Sequence, residues 1–236
     1  MSGIKLFCLP YAGGSASIYS RWGRYLDRTI KLWPVELAGR ASRINEPYYK
    51  SMSEAVDDIA GLIENKLGES DYAIFGHSMG SIMAYELIRR FSMKNLKLPV
   101  HVFFSGRYPP NIKKGERVMH SLPETEFQQE AMKLGGINKN LLRFSGLLKS
   151  ALDTLRADYK VLETYACDFE IHKWDFDISV LAGKDDALAA PSDMEEWKKY
   201  TGKQCKFYYF DGGHFYLHSH VKSIVQIINN TLTTVE

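Results

Sequence analysis

The run YAIFGHSMGSIMAYELI, residues 72–88, decides how the chain folds. It begins with an unbroken apolar and aromatic stretch, which suits a strand covered on both faces of a parallel sheet. Apolar residues at helical spacing follow over 79–92. Between the two, Gly76-His77-Ser78-Met79-Gly80 fits G-x-S-x-G. Glycines on both sides let the backbone make a strained turn that lifts the serine hydroxyl clear of the sheet. Five residues with three fixed recur by chance, so the pattern gains its weight from the strand before it and the helix after it. A helix N-terminus also stabilises negative charge at that point. The bland alternative is an ordinary turn serine.

Working outward, similar apolar runs recur at 4–9, 30–37, 99–105, 177–182 and 205–210, with helical spacing over 16–28, 52–67, 191–201 and 216–232. Strands alternating with helices imply an α/β fold of doubly wound type, a mostly parallel central sheet with helices on both faces. From Arg107 to Trp174 no strand-like run appears, and the segments 122–134 and 139–165 have helical spacing around Gly135-Gly136. That is too long for an ordinary crossover. The expectation is one domain over 1–236 with a helical lid insertion at 107–174; the alternative is extra core-packing helix.

A serine hydroxyl needs a base, and the base needs an orienting carboxylate. His214 lies in YYFDGGHFYL, on a Gly-Gly loop directly after the final strand. His77 adjoins the serine and is expected to point away; His101 lies in a strand, His120 and His172 in the insertion, and His218 and His220 in the expected final helix. His214, His218 and His220 could instead form a zinc site, but no acidic residue lies among them. The carboxylate is sought in SVLAGKDDALAAP, where Asp185 and Asp186 follow a strand. Asp186 is favoured because G-x-x-D, counted from Gly183, gives the loop room to turn; Asp185 stays open, and either could cap the next helix. The order Ser78, Asp186, His214 is that of an α/β-hydrolase. The oxyanion needs two backbone N–H donors. Met79 supplies one, and Ala12, in the glycine loop LPYAGGSAS after the first strand, is chosen for the other. That loop lacks G-x-G-x-x-G spacing and a G-K-[ST] ending, which weighs against a phosphate cradle.

Composition sets outer limits. A chain of 236 residues, 45% hydrophobic, can bury a sizeable core, and a net charge of +2 with no long block of one sign points to no nucleic acid. No run approaches the ~20 apolar residues of a membrane span, and no signal-peptide pattern opens the chain. Cys8, Cys167 and Cys205 are odd in number and form no C-x-x-C pair, so neither a disulfide framework nor a metal site is expected, and a cytoplasmic home is.

Four pieces in order, FCLPYAGGSAS, FGHSMGSIMAYEL, LAGKDDAL and GGHFYL, together with ELAGR at 36–40 and LRADYKVLETY at 155–165, resemble the type II thioesterases that accompany nonribosomal peptide and polyketide synthetases. The resemblance spans nearly the whole chain and rests most on PYAGG, ELAGR and LRADY, since G-H-S-M-G is shared by many hydrolases. It implies an α/β-hydrolase fold, a Ser78–Asp186–His214 triad and oxyanion donors at Met79 and Ala12. It further implies hydrolysis of unwanted acyl groups from the phosphopantetheine thiol of carrier proteins with no metal or cofactor of the enzyme's own, the pantetheine being part of the substrate; a monomer is the expectation beside it. Under this reading Leu147, Leu148, Leu152 and Leu155 are candidates for an acyl channel, with core packing as the alternative. Arg89, Arg90, Lys94, Lys97, Lys113 and Lys114 are candidates for docking an acidic carrier, with a solvated basic face as the alternative. The rival functions are a general carboxylesterase or lipase, a fatty-acyl thioesterase, and a non-catalytic binding module on the same fold.

Overall fold

The computed structural model describes residues 3–115, 117–137, 143–167 and 171–233. Six strands form one parallel sheet: β1 Ile4–Leu9, β2 Ile30–Pro34, β3 Tyr72–His77, β4 His101–Ser105, β5 Asp177–Gly183 and β6 Cys205–Phe210, in the order β2-β1-β3-β4-β5-β6. All six apolar runs of the sequence form strands, because a parallel sheet covered on both sides needs no polar face. Two are shorter than expected. β2 stops at Pro34 and β4 starts after Pro99, since proline has no N–H to give to a ladder.

Side chains alternate between two apolar layers. Phe7, Leu9, Tyr72, Ile74, Val102 and Phe104 point to one face, where α1 (Met52–Leu67) and α2 (Met79–Met93) cover them. Leu6, Cys8, Ala73, Phe75 and Phe103 point to the other, against α6 (Val221–Leu232) and the segment holding Tyr19 and Trp22. That last segment is not the helix expected over 16–28. It is two 3-10 turns, Ala16–Tyr19 and Trp22–Arg24. Tyr19 and Trp22 are both buried and three residues apart, a spacing that a three-residue repeat aligns on one side. The same spacing of Trp197 and Tyr200 explains why α5 (Pro191–Met194) continues as a 3-10 turn over Glu195–Tyr200. The final helix is also split: a 3-10 turn at Tyr216–His218 precedes α6, so His218 ends that turn and His220 caps α6, and neither lies within the α-helix as expected.

Between β4 and β5 lie α3 (Glu124–Lys133) and α4 (Ser145–Glu163); the start of the helix expected from 139, up to 142, is outside the described residues. Phe127, Ala131, Leu152 and Leu155 form a small apolar cluster of their own with Met119 and Ile137. Arg156 ties it together, its guanidinium 4.1 Å from the Phe127 ring centre and its Nη1 donating to the carbonyls of His120 and Leu122 at 2.8 and 2.7 Å. No helix among the described residues is long and apolar enough to cross a membrane.

The strand order reverses between β1 and β3. The chain steps outward from β1 to β2, then returns to the other side of β1. At such a switch point the loops leaving neighbouring strands diverge and open a crevice. Leu9 of β1 lies in register with Gly76 of β3, so the loop carrying Ala12 and the turn carrying Ser78 leave the sheet at one level.

Candidate active site

Sterics explain the turn at Ser78. A Cβ on Gly76 would sit 2.2 Å from the Gly80 carbonyl oxygen, and one on Gly80 would sit 2.3 Å from that of Leu9. Only glycine lets strand, turn and helix approach so closely. Ser78 itself is held at φ 53°, ψ −113°, a conformation costing a side-chain-bearing residue about 1–3 kcal/mol. Hydrogen bonds across the turn offset that strain. Ser78 N–H donates to the Ser105 carbonyl at 2.8 Å, and the Ser81 hydroxyl donates to the Gly76 carbonyl at 2.7 Å. Met79 begins α2, where N–H groups have no intrahelical acceptor and are open to an anion.

The two aspartates are told apart. Asp186 is 3% exposed: Oδ1 accepts the N–H groups of Leu188 and Ala189 at 2.9 and 3.1 Å, and Oδ2 lies 2.8 Å from His214 Nδ1. Asp185 is exposed and contributes its backbone N–H to the Gly212 carbonyl at 3.0 Å. With Nδ1 on the carboxylate, His214 keeps Nε2 for proton exchange. His214, Ser78 and Ala12 line one cavity of 80 Å³, together with Tyr11, Leu155, Tyr159, Leu162 and Leu188. A larger cavity of 400 Å³, bordered by Lys113 and Lys114, shares Arg107, Leu162 and Glu163 with it.

The remaining histidines have other employment. His77 is wholly buried; its Nδ1 meets the Ser105 hydroxyl at 2.7 Å, which in turn meets the Tyr216 hydroxyl at 2.5 Å. Burial, with the nearby His214, holds its pKa well below the ordinary histidine value, so its ring is neutral. His218 Nε2 meets the Tyr11 hydroxyl, His220 Nε2 meets the Asp211 carbonyl, and His120 Nδ1 meets Glu163. His214, His218 and His220 therefore turn to three different partners.

Of the four leucines proposed for a channel, only Leu155 lines the small cavity; Leu147 is 61% exposed and Leu152 packs in the apolar cluster. What the leucine pattern missed is the continuation of the same face one and two turns on, through Tyr159 and Leu162, whose i, i+4, i+7 spacing was legible in LRADYKVLE. The basic residues considered for docking are mostly engaged within the chain. Arg89 pairs with Glu86, Arg90 with Asp57, Lys97 with Asp71 and Lys114 with Asp193.

Comparison with known proteins fits this geometry. The thioesterase domain family matches residues 4–232. Linear gramicidin dehydrogenase LgrE of Brevibacillus parabrevis is 33% identical over 97% of this chain and 88% of its own length. The medium-chain S-acyl fatty acid synthase thioesterase of Anas platyrhynchos is 34% identical over 90% of this chain and 85% of its own. Among solved structures, ClbQ from the colibactin NRPS/PKS pathway superposes with a TM-score of 0.94 at 34% identity, covering 99% of this chain and 98% of that one. Fold, family match and relatives agree that this chain belongs to the thioesterase family and is a thioester hydrolase on an α/β-hydrolase fold.

Proposed function

We propose that this thioesterase is an external editing enzyme that removes short, unwanted acyl groups from the phosphopantetheine arm of carrier proteins in nonribosomal peptide or polyketide synthesis. Ser78 attacks the thioester carbonyl while His214 Nε2 takes its proton, and Asp186 steadies the resulting imidazolium. The oxyanion is held by the N–H groups of Met79 and Ala12. Collapse breaks the C–S bond, His214 returns the proton to the departing thiolate, and an acyl-serine remains. Water deprotonated by His214 then attacks that ester, and the acid leaves as Ser78 recovers its proton. The observation that supports this reading most is the 2.8 Å contact from Asp186 to His214 in one wall system with a serine at φ 53°.

The space beside Ser78 is small against the cavity it adjoins, which favours a short acyl group there. In this reading α3 and α4 act as a lid within a single domain, and the pantetheine arm occupies the adjoining 400 Å³ cavity beneath it, near Arg107, Lys113 and Lys114. The duck relative favours a second reading, medium-chain fatty-acyl release, which a chain-length series of thioesters separates from the first. The dehydrogenase name of LgrE is not followed, because the loop after β1 has no dinucleotide spacing.

Turnover of acetyl-phosphopantetheinyl carrier protein, acetyl-CoA and p-nitrophenyl acetate, with Ser78→Ala as control, tests the proposal. Much higher kcat/KM on the carrier substrate supports it. Equal or better turnover of the free ester points instead to a general esterase.

A further inference from the structure

Three motifs that lie far apart in the sequence meet beside Ala12. Arg40 ends ELAGR and Asp158 lies within LRADY on α4. They form a two-pronged ion pair, Nη1 to Oδ2 at 2.6 Å and Nη2 to Oδ1 at 2.7 Å, with the residues 5% and 3% exposed. The same pair grips the loop PYAGG. Asp158 Oδ2 accepts the Gly13 N–H at 2.7 Å, and Arg40 Nη1 donates to the Gly14 carbonyl at 3.0 Å. Gly13 has φ +77°, and a Cβ there would sit 2.9 Å from Leu155 Cδ1, one turn before Asp158 on α4.

A buried ion pair is a poor device for stability, because desolvating two charges offsets most of their attraction, and apolar residues of similar volume serve as well. This pair does something apolar residues cannot: it fixes one N–H and one C=O of the two residues directly after Ala12. We infer that Arg40 and Asp158 are positioning residues that aim the Ala12 N–H at the oxyanion. The inference rests on the reading of Ser78 as nucleophile and Ala12 as oxyanion donor. It also links two parts of the site, since Asp158 shares α4 with Leu155, Tyr159 and Leu162 of the cavity wall.

Asp158→Asn keeps the volume and one carbonyl acceptor but loses the charge. It is compared with wild type in thermal unfolding, in kcat and KM on acetyl-pantetheine, and in affinity for two analogues. One is a trifluoromethyl ketone, which Ser78 converts to a tetrahedral oxyanion; the other is the unreactive amide. The expected result is a folded variant whose kcat and ketone affinity both fall about 10- to 100-fold, with KM and amide affinity within about twofold. If Asp158→Asn does not fold, the double variant Arg40→Met/Asp158→Leu, which leaves no unpaired buried charge, carries the same expectation. A folded variant with unchanged kcat and ketone affinity overturns the inference. So does a parallel fall in ketone and amide affinity, which would mark a merely structural role. A wild type that neither hydrolyses the thioester nor binds the ketone overturns the functional reading and this inference with it; a fully active wild type beside an unaffected variant overturns the inference alone.

Discussion

Asp186 presents Oδ2 to His214 Nδ1 at 2.8 Å while its other oxygen is pinned by the N–H groups of Leu188 and Ala189. The carboxylate cannot rotate without giving up three bonds, so the imidazole it holds has one tautomer and one orientation. Asn at 186 offers an NH2 or a neutral oxygen in that place. Asp186→Asn is expected to lower kcat by about 10³- to 10⁴-fold with little change in KM, as loss of a triad carboxylate does. Asp185→Asn, on an exposed side chain, is expected to stay within about twofold of wild type. Steady-state kinetics of the two variants checks this; equal losses contradict it.

The glycines of the serine turn are expected to be sterically obligatory. Gly80→Ala puts a methyl 2.3 Å from the Leu9 carbonyl oxygen, backbone that cannot move aside without disturbing β1. The expected cost is at least about 3 kcal/mol, the upper range for overpacking, seen as a depressed Tm or loss of soluble protein. Gly61→Ala, on α1 with nothing within 4 Å of the added carbon, is the matched control and is expected to raise stability slightly.

Much of this was legible in the sequence, for identifiable reasons. The four inner strands are mostly buried and so read as apolar runs, while the edge strands β2 and β6 are partly exposed and admit Lys31 and Lys206. Ser78, Asp186 and His214 stand out in the sequence because each lies in the turn or loop that leaves a strand, where such a fold exposes side chains at its crevice. The 3-10 turns around Tyr19 and Trp22 were misread because residues three apart satisfy a helical pattern as well. The Arg40–Asp158 pair was invisible for a different reason. Both motifs stood out, but the partners are 118 positions apart, and nothing local in either says that they meet. The ion pairs of the basic residues were likewise out of reach of the sequence, except that of Arg89 with Glu86 three residues earlier on the same helix, because the partners of Arg90, Lys97 and Lys114 lie far off in the chain.

Leu162 stands in the wall shared by the 80 Å³ and 400 Å³ cavities and is only partly buried. Leu162→Ala joins the two spaces. Its expected effect is a shift in relative kcat/KM from acetyl toward hexanoyl and octanoyl thioesters of about tenfold or more, since each newly buried methylene contributes about 0.8 kcal/mol. A chain-length series on pantetheine thioesters reads it out.

His101, on β4, is buried with Nε2 2.9 Å from the Ser179 hydroxyl. Burial lowers its pKa to about 4, against an opposing pull from Asp177 and a small further push from Lys206. The folded state thus binds this proton more weakly than the unfolded chain, whose histidine titrates near 6.5. Its contribution to stability is complete above about pH 6.5 and is lost as pH falls toward about 4, a change of roughly 3 kcal/mol. Urea unfolding of wild type and His101→Gln across that window is expected to show wild type losing the extra stability. Carboxylates that do not interact with His101 titrate alike in both proteins and cancel in the difference, leaving only the coupling to Asp177.

The central claim is that a thioester acyl group passes through Ser78. The direct measurement is intact-protein mass spectrometry after rapid mixing with acetyl-phosphopantetheinyl carrier protein, followed by peptide mapping. The expected result is a transient acetyl adduct on the peptide containing Ser78, absent in Ser78→Ala together with turnover. Turnover that survives in Ser78→Ala, or an adduct on a different residue, would contradict the account.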